Sequence, residues 1–377
     1  MLSESSIATP RIDVFLQYYK PHVSGLTNMA ADLAEAAVAD GYDVHVHCVT
    51  KSGPTTVENV DGVTVHAYRR TFSLGRGNFS VAMLNAARRL RRRSGIAHFH
   101  LPLPESAAFS WLLGPKWRSV VTYQCDAPLG SFGDTAIARA LDVSHRVLIR
   151  RADVVCTSSA DYAEHSRLSQ LFNERVSVPI PATSIDRAGG TRRFAVEGRR
   201  QIGFLGRPTT EKGIDVLMDA LESLSDDVLL TLAGPLDGLT DRVGYDRQRL
   251  ERLIAEGRVR SLGFLDESDI ADFHASLDVF VLPSTNSFEA FGIVQVEAMS
   301  AGTPVVASAL PGVRTIVQST GFGEIAAVGD AVDLAMAISR ALERTYDAAH
   351  AREVLEQRYL PPVPQNAYLE IYRRLSR

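Results

Sequence analysis

At 377 residues, 45% of them hydrophobic and 22% charged, the chain has the make-up of a globular protein long enough for two doubly wound domains, which excludes disordered and fibrous classes. The net charge of −4 divides as 19 basic against 17 acidic side chains over residues 1–186 and 21 against 27 beyond, so neither half has the basic excess of a nucleic-acid binder. No apolar run approaches the roughly 20 residues of a membrane span, residues 1–10 lack the order of a signal peptide, and Cys48, Cys125 and Cys156 sit apart within apolar runs; the expectation is a cytoplasmic protein with reduced thiols.

Short β-branched runs alternate with helix-period segments from the start, the pattern of βαβ units around a parallel sheet. Strands are predicted at 12–19, 44–49, 63–68, 96–100, 120–123 and 154–158, with helices at 28–40 and 105–113 among them. A helical segment beginning near Phe79 closes on Arg88-Arg-Leu-Arg-Arg-Arg93. Cations at a helix end are ordinarily solvated; the sharper reading is a patch for anionic lipid, on the inner face of the membrane, or for an acidic acceptor. These elements make an N-terminal Rossmann-like domain over residues 1–180.

Pro179 and Pro181 lead into a polar stretch rich in Gly and Arg, which reads as a linker over 181–199. The alternation then restarts, with strands at 202–205, 229–233, 259–264, 279–283 and 305–308 and helices at 214–224, 246–256 and 267–277. A second Rossmann-like domain over 200–360 follows from that order. After Pro361, Pro362 and Pro364, an amphipathic segment within 361–377 reads as a terminal helix that packs back on the first domain.

Ligands of open parallel sheets lie at the carboxyl ends of strands, so the loops that follow strands carry the chemistry. The first such loop, Pro21-His-Val-Ser-Gly-Leu-Thr27, holds Gly25 at a helix start, which either admits an anion closely or is a plain turn. Gly206-Arg-Pro-Thr-Thr-Glu-Lys-Gly213 sets Arg207 and Lys212 around a turn, one forked donor and one point charge suited to a diphosphate. Glu289 precedes a helix beginning with Phe291, Gly292 and Ile293, and Glu297 stands inside it in an apolar run, where an unpartnered acid would be costly. Gly263-Phe-Leu-Asp-Glu267 offers apolar side chains to a nucleobase, or is simply a helix start capped by Asp266. His98 and His100 end a strand without carboxylate or cysteine beside them; His98 reads as core-edge, His100 and His22 as contacts for an acceptor, with Asp126 facing the same way. No Asp-x-Asp pair or His/Cys/carboxylate cluster has metal spacing, so no metal or other cofactor is expected.

Taken in order, these motifs, with Ala233-Gly-Pro235 and Ala298-Met-Ser-Ala-Gly-Thr-Pro-Val-Val306, resemble the retaining glycosyltransferases of family 4, a resemblance that runs over nearly the whole chain. It implies the GT-B fold, two Rossmann-like domains facing a central cleft. It also implies that Arg207 and Lys212 hold the diphosphate of a nucleotide-sugar donor, UDP favoured over GDP, and that Gly25 lets the other domain close on it. Glu289 would contact the donor sugar, Phe291, Gly292 and Ile293 would supply amides, Glu297 would bind ribose hydroxyls, and the base would rest on Phe264 and Leu265. The sugar would pass, with retention, to a lipid-linked saccharide or small-molecule acceptor. One departure is Gln124, where many relatives have histidine near the sugar's 6-position; it suggests a donor sugar without an ordinary 6-hydroxyl. An epimerase or phosphorylase on the same scaffold, or a non-catalytic nucleotide-sugar binder, are the alternatives.

Overall fold

The computed structural model describes residues 9–22, 24–50, 52–74, 77–127, 129, 132–174, 177–236 and 244–377. The chain forms two compact units, one running to Thr183 and completed by Pro364–Arg377, the other Ser184–Val363.

The first unit is built from β1 (Arg11–Phe15), α1 (Gly25–Ala39), β2 (Asp43–Thr50), β3 (Thr56–Val60), β4 (Val63–Arg69), β5 (Phe72–Leu74), β6 (Gly77–Phe79), α2 (Val81–Leu90), β7 (Gly95–Leu101), α3 (Ser106–Leu112), β8 (Trp117–Tyr123), α4 (Phe132–Ile149), β9 (Val154–Thr157), α5 (Ala160–His165), α6 (Ser169–Glu174) and β10 (Ser177–Pro179). Its sheet has the order β10-β9-β8-β7-β1-β2-β4-β3 and is parallel except for the antiparallel edge strand β3. The strand order reverses between β1 and β7, which brings the loops after these two strands together at one sheet edge. A small hairpin, β5–β6, stands beside that edge, tied down where Gln17 exchanges side-chain hydrogen bonds with both backbone groups of Asn78.

Helix α1 starts earlier than the hydrophobic period alone predicts, at Gly25, because the Ser24 side chain accepts from the Thr27 amide and caps it. Its small residues Ala30, Ala31, Ala34 and Ala37 let it lie close on the sheet. The first strand stops at Phe15 although Leu16 and Tyr19 stay buried: an apolar run marks burial, and here it continues past the ladder. The arginine run also sits differently. Ser80 caps α2, which ends at Leu90, so Arg91, Arg92 and Arg93 follow the helix instead of closing it.

The second unit comprises β11 (Arg200–Leu205), α7 (Ile214–Ser223), β12 (Val228–Ala233), α8 (Arg247–Ala255), β13 (Val259–Gly263), α9 (Ile270–Ala275), β14 (Val279–Leu282), α10 (Ile293–Ser300), β15 (Val305–Ser308), α11 (Arg314–Thr320), β16 (Gly323–Ala326), α12 (Ala331–Glu343) and α13 (Ala348–Arg358). Its sheet is fully parallel, in the order β13-β12-β11-β14-β15-β16, and reverses between β11 and β14. The segment predicted as one helix over 267–277 is a 3₁₀ turn, Glu267–Asp269, followed by α9.

Residues 184–198, read from sequence as linker, belong to the second unit and are held on it without periodic structure. The Thr191 amide donates to Asp272, the Phe194 amide to Ser276 Oγ, and Arg193 pairs with Asp269. Side-chain acceptors on α9 and its flanks replace the missing ladder, which is how an aperiodic segment keeps its backbone groups satisfied.

The last helix, α14 (Val363–Leu375), supplies Tyr368 and Tyr372 to the core of the first unit. The Tyr372 hydroxyl pairs with His98 Nδ1 at 2.6 Å, His98 Nε2 with Thr122 Oγ1 at 2.7 Å, and Thr122 Oγ1 with the Tyr368 hydroxyl at 3.0 Å. At the surface Arg373 pairs with Asp40, the residue after α1.

Candidate active site

The reversal between β11 and β14 places the loop after β11 against the loop after β14. The first contains Arg207 and, in a short turn over Thr210–Lys212, Lys212; the second contains Glu289. Thr285 knits the loops together: its amide donates to Glu211 O at 3.0 Å, and its Oγ1 to Thr210 O at 3.0 Å and to Glu211 O at 3.3 Å. Gly213 makes the approach feasible. Its φ is +73°, and a Cβ there would lie 1.9 Å from the carbonyl oxygen of Pro283. Lys212 Nζ consequently lies 2.5 Å from Glu289 Oε2, and Ser284 Oγ donates to the same oxygen at 3.4 Å. Arg207, in the same loop as Lys212, is exposed and makes no ion pair among the described residues.

Gly292, at φ +76°, turns the chain into α10 and leaves the helix start without a side-chain cap. Among the described residues nothing accepts from the Gly292 or Ile293 amides. Gln295 fixes the turn from inside, its Nε2 donating to the carbonyls of Phe291 and Val313. Two free amides, two cations and a carboxylate within one loop pair form a surface able to bind a diphosphate and a hydroxylated neighbour at once.

Glu297 sits further along α10 and is almost wholly buried. It is not unpartnered: Arg187 Nε and Nη2 both donate to its Oε2 at 3.2 Å. Burial pushes the Glu297 carboxyl above the usual carboxylate range, and the Arg187 charge and hydrogen bonds oppose that shift. Sequence reasoning passed over Arg187, since nothing in an aperiodic polar stretch marks one arginine among several as buried. On the far side of β11, Phe264 is 73% exposed and Leu265 half-buried at the end of β13, an apolar step on an otherwise polar rim.

The candidates of the first unit separate. Gly25 is exposed as the first residue of α1, and His22 is half-buried with its ring 4.8 Å from Tyr18. Asp126 does not face open space: it is buried and accepts from the Tyr123 hydroxyl at 2.6 Å, Ser166 Oγ at 3.0 Å and the Arg167 amide at 3.2 Å. Those bonds make it a structural anchor, a correction to its reading as an acceptor contact. His100 is likewise enclosed, and burial pulls its imidazole down to about 3, so it is neutral. Gln124, half-buried, donates to His100 Nδ1 at 3.2 Å. Of that pair, Gln124 is the group within reach of solvent.

Residues 192–357 match the family model of the glycosyl transferases group 1, and residues 24–181 that of the glycosyl transferase 4-like domain. A D-inositol 3-phosphate glycosyltransferase of Geodermatophilus obscurus is 30% identical over 345 residues, 83% of this chain and 75% of the relative. The chain belongs to the group 1, family 4 glycosyltransferases. A phosphatidyl-myo-inositol mannosyltransferase of Mycobacterium leprae is 28% identical over 381 residues, 97% of each protein. In fold the glycosyltransferase is similar to Anabaena HepE, solved in complex with UDP-glucose, with a TM-score of 0.73 and 20% identity over 97% of this chain and 99% of that one. Its two Rossmann-like units are those of the GT-B class. No helix among the described residues of the glycosyltransferase is long and apolar enough to cross a membrane.

Proposed function

We propose that this glycosyltransferase takes its sugar from a nucleoside diphosphate donor, UDP-linked by preference, and transfers it with retention of configuration to a lipid-linked saccharide or small hydroxylated acceptor without a metal ion. The observation that carries the reading is the Lys212–Glu289 contact at the strand reversal of the second unit, with Arg207 exposed in the loop after β11.

Arg207 and Lys212 bring two positive charges to a diphosphate, and the α10 start adds neutral donors. Together they stabilise the charge that grows on the leaving group as the bond from the anomeric carbon to phosphate oxygen breaks. The acceptor oxygen forms its bond to the anomeric carbon on the face the phosphate leaves, and its proton passes to the departing phosphate oxygen. Glu289 holds sugar hydroxyls beside the positive charge developing on the ring, Glu297 takes ribose hydroxyls, and Phe264 and Leu265 carry the base. Gln124 and His22 in the first unit are the groups assigned to the sugar and acceptor. Gln124 supplies neutral hydrogen bonds only, which favours a donor sugar lacking an ordinary 6-hydroxyl.

The acceptor assignment draws on the M. leprae relative, whose name specifies a phosphatidylinositol acceptor. It is joined by a surface feature: Arg88, Arg89, Arg91, Arg92 and Arg93 are all exposed, and none makes an ion pair among the described residues. We assign this edge to an anionic lipid surface. Flotation with vesicles containing phosphatidylglycerol is expected to carry the protein, and substitution of these arginines by glutamine to release it; no binding by the unaltered protein would remove the assignment.

The reaction itself is tested with a panel of UDP-, GDP- and TDP-sugars, 6-deoxy sugars included, in the presence of a chelator and a mixed acceptor extract. The expected product carries the donor's anomeric configuration. A free epimerised nucleotide-sugar, a sugar 1-phosphate formed only with added phosphate, or binding without turnover would favour the alternative chemistries instead.

A further inference from the structure

Arg187 lies in the aperiodic segment ahead of β11, yet its side chain is only 7% exposed. Every part of it is engaged. Its amide donates to Ser300 Oγ at 2.8 Å, and Ser300 Oγ donates at 2.8 Å to the carbonyl of Glu297 on the same helix. Its guanidinium gives Nε and Nη2 to Glu297 Oε2 at 3.2 Å each, places Nη2 2.7 Å from Glu267 Oε1, and reaches Glu267 O from Nη1 at 3.4 Å.

A buried pair of this kind is poor evidence for stability, because removing two charges from water offsets much of their attraction. Its geometry does something else. Both N–H groups fall on one oxygen of Glu297, while the carboxylate has about four acceptor positions. The amide of Ile185 takes part as well, favouring the ionised form. The carboxylate is therefore fixed in orientation by bonds that oppose the effect of burial on it, and left with acceptor capacity that no described side chain uses. Such an acceptor recognises a pair of vicinal hydroxyls and rejects an analogue that lacks one, since the unfilled position then stays buried and unpaired.

We propose that Arg187 is a positioning residue for nucleotide ribose: it holds the Glu297 carboxylate aimed, so that discrimination between ribose and deoxyribose donors depends on a residue that touches no part of the nucleotide. The proposal rests on the reading of Glu297 as the ribose-binding carboxylate. It gives the segment before β11 a role in recognition through Arg187, whose fork two N–H bonds require and a lysine cannot reproduce.

The test measures binding of UDP, GDP and their 2′-deoxy counterparts to the full chain by calorimetry, for the unaltered protein, Arg187→Met, Arg187→Lys and Glu297→Gln. The unaltered protein is expected to prefer the ribonucleotide by about tenfold or more. Glu297→Gln is expected to bring that ratio close to one, Arg187→Met to do the same, and Arg187→Lys to retain part of it. Circular dichroism and thermal melting of each variant show that it is folded, and Arg187→Lys carries the test should Arg187→Met fail to fold. An equal weakening of both nucleotides by the Arg187 variants, with the ratio preserved, overturns the role of Arg187 and leaves Glu297 as the ribose group. A preserved ratio in Glu297→Gln, or no preference in the unaltered protein, overturns the reading of Glu297 and the inference with it.

Discussion

Lys212 Nζ and Glu289 Oε2, 77 residues apart in the chain, lie 2.5 Å from each other at the strand reversal of the second unit. On the proposed reading, a bound donor offers its phosphate to the ammonium and its sugar to the carboxylate in place of this mutual contact. Lys212→Ala is expected to lower kcat/KM for the donor by about 100-fold or more, the scale of losing one preorganised charge at a leaving group. Lys212→Arg should restore little, because a planar fork does not fit where a compact ammonium sits between two loops. Steady-state kinetics of nucleoside diphosphate release check both.

Gly213 is the residue that lets the two loops meet. Any side chain there adopts a left-handed backbone and drives its Cβ to 1.9 Å from the Pro283 carbonyl oxygen, and a backbone atom cannot swing aside. Gly213→Ala is expected to destabilise the protein by roughly 3 kcal/mol or more. Gly189, at φ +87° with open space around it, serves as the control: Gly189→Ala should cost only about 1 kcal/mol. Urea unfolding compares the two.

Glu105 gives a stability signature with a definite sign. Burial pushes its carboxyl up to about 7 from an ordinary 4.5, against the bond its Oε1 accepts from the Ser80 amide at 2.8 Å. The folded protein therefore binds this proton more tightly than the unfolded chain does. Stability from this group falls as pH rises through that window, by roughly 3 kcal/mol in all. Glu105→Gln is expected to be near neutral at pH 4.5 and stabilising at pH 8; thermal melting at the two pH values checks it, and an equal loss at both would contradict it.

The terminal helix is tied into the first unit through a buried polar chain. Tyr372→Phe removes the 2.6 Å partner of His98 Nδ1 and leaves that nitrogen enclosed and unsatisfied. The expected cost is about 1–3 kcal/mol, seen as a lowered melting temperature with little change in kcat.

How legible these features were in the sequence depends on how local their causes are. The parallel core strands follow from β-branched runs, and their carboxyl-end loops pointed to Arg207, Lys212 and Glu289. Strand β3 was missed because its side chains are exposed or half-buried and carry no apolar run, and the β5–β6 hairpin because Gln17, far away in sequence, holds it. Asp126 illustrates the converse: a carboxylate after a strand looks free until Tyr123, Ser166 and Arg167 close on it. Arg187 was hidden for the same reason, its partner Glu297 being 110 residues on. Glu297 was legible from its own apolar neighbours. What satisfied it was not.

The most direct test of the central claim is acceptor-dependent release of nucleoside diphosphate from the donor selected by the panel, compared among the unaltered protein, Arg207→Ala and Glu289→Ala in the presence of chelator. Release by the unaltered protein that falls by about 100-fold or more in both variants, with folding intact, is the expected result. Undiminished release in either variant would contradict the assignment of the β11 and β14 loops as the site of sugar transfer.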